Sequence, residues 1–122
     1  MIEQLISRVF YARNLAHFAH WRAKGEGSFA KHMALQGFYE EIVGLADSFA
    51  EAYQGKYGLM GPISLMSAKK TGNIVEFLQD QMDEIEAERF KIVDKDCTPL
   101  HNIIDEIVAL YLSTLYKLRF LA

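Results

Sequence analysis

One cysteine, Cys97, is all the sulfhydryl chemistry the chain has. A lone thiol cannot close an intrachain bridge, so a disulfide-built secreted scaffold is excluded and a reducing compartment, the cytoplasm, is the simplest location. Proline occupies only 2 positions, too few for an all-β design punctuated by turns, and hydrophobic residues at 51% argue against disorder. Basic charge is not concentrated: 13 Lys and Arg stand against 16 Asp and Glu for a formal charge of -3, with no basic run at either end. A dedicated nucleic-acid surface, and DNA as a partner, are therefore not expected. The most apolar stretch, Ile107 to Tyr116, is well short of the roughly 20 residues that span a bilayer. Glu3 lies inside the first apolar pattern, where a signal peptide would have none. No membrane role is expected.

What the chain does have is helical periodicity. Its 122 residues suit one compact domain, 1–122, and are too few for two. Ile2, Leu5, Ile6, Val9, Ala12, Ala16 and Ala19 recur at three and four spacing, predicting a helix from Ile2 to about Lys24. Gly25 and Gly27 interrupt it, and Ser28 can cap a second helix with a stripe of Ala30, Ala34, Phe38, Ile42, Leu45, Phe49 and Tyr53. The short break predicts an antiparallel hairpin. From Gly55 to Gly72 the sequence turns to Gly, Pro, Ser and Lys, a connecting segment with room for a helical turn of its own. Leu59, Met60, Leu65 and Met66 within it are expected to cover the bundle. A third helix is expected from near Asn73, with Glu76 as a capping-box partner and Ile74, Leu78, Met82 and Ile85 inward, ending near Asp94. Thr98 as N-cap followed by Pro99 opens a fourth, through Ile103, Ile107, Leu110, Leu115 and Leu118.

The fold class is thus all-α. A ~23-residue helix is about 34 Å long, and a linker of ~17 residues reaches more than about 50 Å, so the second connection is long enough to cross the whole bundle. Two hairpins joined by one long crossover make the ferritin-like arrangement; three short loops make an up-down-up-down bundle. Tyr11, Leu15 and Phe18 lie on a second side of the first helix, and the last helix is apolar over much of its circumference. Such surplus apolar surface points to burial against other chains or to an unusually apolar core.

The candidate chemistry lies in His20, His32, Asp47 and Glu51. Imidazole with carboxylate suits iron and other first-row metals, and Asp47 and Glu51, four apart, project from one helical face. Fifteen residues of helix separate His32 from Asp47, roughly 22 Å along the axis. If all four serve one ion, the histidines of one copy must meet the carboxylates of another across a two-fold axis, giving two equivalent sites per dimer. The Glu-x-x-His motifs of an intrachain di-iron bundle are missing, since Asn14, His17, Phe29 and Thr98 precede the four histidines by three positions.

His20-Trp21, Gly25, His32, Tyr39, Asp47, Ala50 and Glu51 fall in the order and spacing of a known signature, and from about Asn14 to Tyr53 the chain resembles the Dps-type mini-ferritins. The resemblance implies a ferritin-like four-helix bundle with a long crossover between the second and third helices. It implies a ferroxidase centre oxidising Fe(II) at the interface of two chains. There His20 and His32 would be ligands from one chain, Glu51 the principal carboxylate from its partner, and Asp47 a ligand or hydrogen-bond partner. It also implies a homo-oligomer, a two-fold dimer built up to a hollow dodecamer storing ferric mineral. Trp21 would sit beside the iron as an oxidisable ring. One departure is Gln36, standing where the family has an acidic residue; a neutral amide is a poorer ligand for a hard cation, so the second iron position should be weak or water-supported. The connecting segment is shorter than the family's, and no long N-terminal arm precedes the first helix. In its brevity the chain is also similar to small ferritin-like proteins of unknown function encoded by bacteriophages.

Plainer readings stand beside these. His17 and His101 are expected to be structural or surface residues, with His17 hydrogen-bonded at the hairpin. Glu76, Asp80, Asp83, Glu84, Glu86 and Glu88 read as a solvated helix face, or as a cavity wall should a shell form. A small helical interaction protein without turnover is the alternative function.

Overall fold

The computed structural model describes residues 1–66 and 72–121. Its helices are α1 (Ile2–Trp21), α2 (Ser28–Tyr57), α3 (Ile74–Ile92) and α4 (Thr98–Phe120), and no strand occurs among the described residues. The chain is an all-α four-helix bundle.

In α1 the expected stripe is buried: Ile2, Leu5, Ile6, Val9, Ala12 and Ala16 are all in the core. The helix ends at Trp21, earlier than Lys24, because Arg22 turns its N–H back to the Ala19 carbonyl and Gly25 and Gly27 follow with φ of 93° and 74°. Those left-handed values suit glycine and reverse the chain within a few residues. Gly27, not Ser28, occupies the N-cap of α2, and no side chain caps that end. The Ser28 N–H instead reaches the Gly25 carbonyl at 3.1 Å. The long α2 buries Ala34, Leu35, Phe38, Ile42, Ala46 and Phe49 and runs a turn past Tyr53, taking in Gly55.

Asn73 caps α3 through its side-chain oxygen, which accepts from the Val75 and Glu76 N–H groups at 2.9 and 3.2 Å. At α4 the expectation shifts by one position: Cys97 is the N-cap, with no side-chain bond, and Thr98 and Pro99 are the first helical residues. Proline fits there because its missing N–H would have no helical partner. Arg89 pins this second hairpin. It donates to the His101 Nδ1 at 3.2 Å, the His101 carbonyl at 2.9 Å, Asp105 at 2.7 Å and Glu86 at 2.8 Å. His101 donates its Nε2–H to the Asp94 carbonyl, 3.1 Å away, so the structural reading of that histidine fits.

Packing orders the four helices. α1 lies against α2 and α3, and α4 lies against the same two; α1 does not approach α4, nor α2 α3, among the described residues. α1 therefore needs two buried sides, and Leu15 and Tyr11 supply the second, with Tyr11 edge-on to Phe77 at 5.2 Å. Their apolarity is spent inside the chain, whereas Phe18 remains half exposed. Phe38 and Tyr111 meet edge to face at 4.9 Å in the centre.

The connection between α2 and α3 leaves near the start of α1, where the Gly61 N–H donates to Glu3 at 2.7 Å and Ser7 donates to the Ser64 carbonyl. It arrives near the other end of α1, with Gly72 and Ile74 beside Ala19 and Arg22. Residues 58–66 contain no helical turn; the rest of the turn expected within 55–72 lies outside the described residues. Met60 packs on the core, but Leu59 and Leu65 are 90% and 86% exposed, contrary to their expected role as a cover.

Candidate metal centre at the first hairpin

The tight turn of the α1–α2 hairpin sets the last turn of α1 against the first turns of α2, and so brings His20 to His32. Their rings stack at 3.5 Å with 27° between planes. The His20 Nδ1 lies 2.8 Å from the His32 carbonyl oxygen, and the His32 Nδ1 lies 3.1 Å from the His20 carbonyl. A carbonyl oxygen only accepts, so each Nδ1 must carry the proton and donate it. When neutral, each ring then presents the lone pair of its Nε2. Metal-binding imidazoles are commonly oriented in this way, one nitrogen tied down by a hydrogen bond to free and aim the other.

Aromatic rings buttress the pair. Tyr39 stands edge-on to His20 at 5.2 Å and stacks on His17 at 3.9 Å with only 14° between planes. His17 is also tilted against Trp21 at 4.4 Å. The expected hydrogen bond of His17 is replaced by stacking between two rings. His20 is buried, His32 half-buried and Trp21 66% exposed. His20 is thus held between the stacked His32 ring and the edge of Tyr39.

Asp47 and Glu51 are not part of this cluster. Both are exposed, about four and about five turns further along α2, and neither joins an ion pair among the described residues. Among the described residues no three His, Cys, Asp or Glu side chains of one chain converge as a metal-holding group. A site using all four candidates accordingly needs a second chain. Gln36 donates its amide to Glu40 at 3.1 Å, so this side chain is already engaged along its own helix.

The acidic residues of α3 are mostly solvated, as expected, but two of them reach a cation on α1. The Arg8 guanidinium lies 3.9 Å from Glu84 and 3.6 Å from Glu88, and donates to Gln81 at 3.2 Å. Sequence reasoning missed the partners of Arg8 and the network around Arg89. A single Arg inside an acidic helix carries no sign of which way it points.

No helix among the described residues is long and apolar enough to cross a membrane. No curated protein and no solved structure matches the chain. A family profile does match, over residues 20–118, from the first histidine of the stacked pair to the last turn of α4. The chain therefore belongs to a family described as of unknown function, DUF5856.

Proposed function

We propose that the chain is a Dps-like iron-binding protein that oxidises Fe(II) at sites shared between two-fold-related copies. The reciprocal His20–His32 pair carries this reading. Each imidazole is held by a hydrogen bond from Nδ1 to the other's carbonyl, which leaves two Nε2 donors for a first-row metal. Fe(II) is the substrate, and it passes electrons to peroxide or dioxygen. Glu51 and Asp47 of a second copy supply the negative charge that favours Fe(III); their exposure and lack of ion-pair partners among the described residues support that role. Trp21, tilted against His17, is an oxidisable ring next to the pair.

The ferritin-like crossover belongs to the same proposal. Its support is that α2 and α3 are not packed as neighbours among the described residues and that the described ends of their connection lie at opposite ends of α1. A homo-oligomer, at least a two-fold dimer and a dodecamer in the full Dps-like form, would cover exposed Trp21, Phe29 and Met33 at the hairpin and Leu112, Tyr116 and Phe120 along α4. A closed shell would store ferric mineral in the cytoplasm. A second reading, a ferritin-like interaction protein without turnover, is favoured by Gln36, whose amide is spent on Glu40.

Stopped-flow Fe(II) oxidation with peroxide and with dioxygen separates the two, comparing the native chain with His32→Ala and Glu51→Ala after each is sized by light scattering. Rapid oxidation abolished by both substitutions, with assembly unchanged, is expected. Oxidation no faster than buffer would leave the interaction protein.

A further inference from the structure

On the other side of the first hairpin from the histidines, a half-open cleft of about 230 Å³ lies between the end of α1, the start of α2 and the start of α3. Leu15, Phe18, Ala19 and Ile74 form its apolar wall, and Arg22 and Lys31 line it from the two helix ends. Leu15, Phe18, Ala19 and Arg22 follow the three and four spacing of one helical stripe, so α1 presents a continuous surface to the cleft. Neither cation takes part in an ion pair among the described residues, although acidic residues outnumber basic ones in the chain.

The two cations differ in what their own helices ask of them. Arg22, the C-cap of α1, suits the negative end of that helix. Lys31 is badly placed for folding alone, because it is the fourth residue of α2, at the positive end of a helix with no acidic residue in its first turn and no side-chain cap. A positive charge set against a helix dipole, and sharing a cleft with a second one, conflicts with local stability. The conflict disappears when an anion lies between them.

We propose that this cleft binds a small carboxylate with an apolar body. The carboxylate sits between Arg22 and Lys31, where a guanidinium can grip both oxygens through parallel hydrogen bonds. The body lies against Phe18, Leu15, Ala19 and Ile74. Size narrows the class: a cavity of about 150 Å³ accommodates benzene, so this one takes a single ring or a short branched chain with its carboxylate and has no room for a nucleotide. The apolar wall disfavours a bare inorganic oxyanion, which would gain nothing from it. This inference is independent of iron and of the histidine pair.

Amide-resolved NMR titration of the full chain tests it with three probes: benzoate, its neutral isostere benzamide, and inorganic phosphate. Benzoate should shift the backbone signals of Ala19, Arg22, Lys31 and Ile74 saturably, binding about tenfold or more tighter than either other probe. Arg22→Gln and Lys31→Gln, both at exposed positions, should each weaken benzoate about fivefold or more while the remaining spectrum stays unchanged. Phe18→Ala should weaken benzoate through the loss of the wall. Equal binding of benzoate and benzamide would overturn the role of the cations, and phosphate binding as tightly as benzoate would overturn the role of the wall. The absence of saturable shifts below about 10 mM benzoate would remove the site altogether.

Discussion

Tyr111→Phe should make the protein more stable, although it deletes a polar group from the centre of the bundle. Tyr111 is fully buried, and its hydroxyl has no hydrogen-bond partner among the described residues. A hydroxyl removed from water without a replacement bond costs about 1–3 kcal/mol by mutational measures. Phenylalanine keeps the edge-to-face contact with Phe38 at 4.9 Å and leaves only a small void, so the net gain should be about 1 kcal/mol. An unfolding entropy of about 2.1 cal/mol/K per residue, over a chain of this length, converts that to a rise in Tm of about 4 °C. Urea unfolding followed by circular dichroism, at a fixed protein concentration so that association does not vary, measures the difference directly. A pH series adds an independent check. Burial pushes the Tyr111 hydroxyl far above its ordinary value of 10.0. Above that pH the unfolded chain releases a proton that the folded chain retains, so native stability falls as pH rises further. Phenylalanine cannot release one, and the gap between the two proteins should widen in alkali. A substitution that destabilises by more than about 1 kcal/mol would refute the reasoning, because it would mean that the hydroxyl is bonded after all.

Arg89→Met should destabilise the chain by about 2–3 kcal/mol in urea titration, since it strands the His101 Nδ1 and carbonyl in the interior; no loss would mean that the network is incidental. Glu3 is held down to about 2 from 4.5, first by the hydrogen bond from the Met1 ammonium and then by that from the Gly61 N–H. Its contribution is present above the ordinary carboxylate value and lost as pH falls toward about 2. The Gly61 amide signal should move over that window in the native chain and not in Glu3→Gln.

Much of the helical striping was legible in the sequence because burial leaves a periodic record: Leu78, Met82 and Ile85 on α3 read as inward and are inward, whereas on α4 Ile103, Leu110 and Leu118 read as inward but are only half-buried, and Leu100, Ile104 and Tyr111 take the core. Helix order was not, since periodicity says which face is buried and never by what. Tyr11 and Leu15 read as surplus apolar surface, yet they are the second face of a helix held between α2 and α3. Capping shifted by one residue at Ser28 and Thr98 because Gly27 and Cys97 take the non-helical cap positions themselves, with no side-chain bond to mark them. Leu59 and Leu65 had no periodic context, so their apolar character alone misplaced them. For the candidate site, the four residue types and their separation along the helices could be read. The mutual Nδ1-to-carbonyl bonds of His20 and His32 could not, because they depend on the angle at which the hairpin closes.

That closure sets up a test that needs no structure of an assembly. If His20 and His32 act with Asp47 and Glu51 of another copy, a chain lacking His32 and a chain lacking Glu51 are each inactive as homodimers, for opposite reasons. A mixed dimer of the two has one site missing both contributions and one site with its histidines from the Glu51→Ala chain and its carboxylates from the His32→Ala chain. Unfolding the two variants together in equal amounts and refolding them should produce mixed pairs as about half of all dimers, and so about a quarter of the native sites. Fe(II) oxidation should recover to about that level, while the same variants refolded separately and then combined without exchange stay inactive. Sites contained within single chains would recover nothing under either protocol, because no chain in the mixture carries both groups. Recovery close to a quarter therefore identifies the partner's carboxylates as part of the centre, and zero recovery alongside an active native protein would separate iron oxidation from the shared-site geometry.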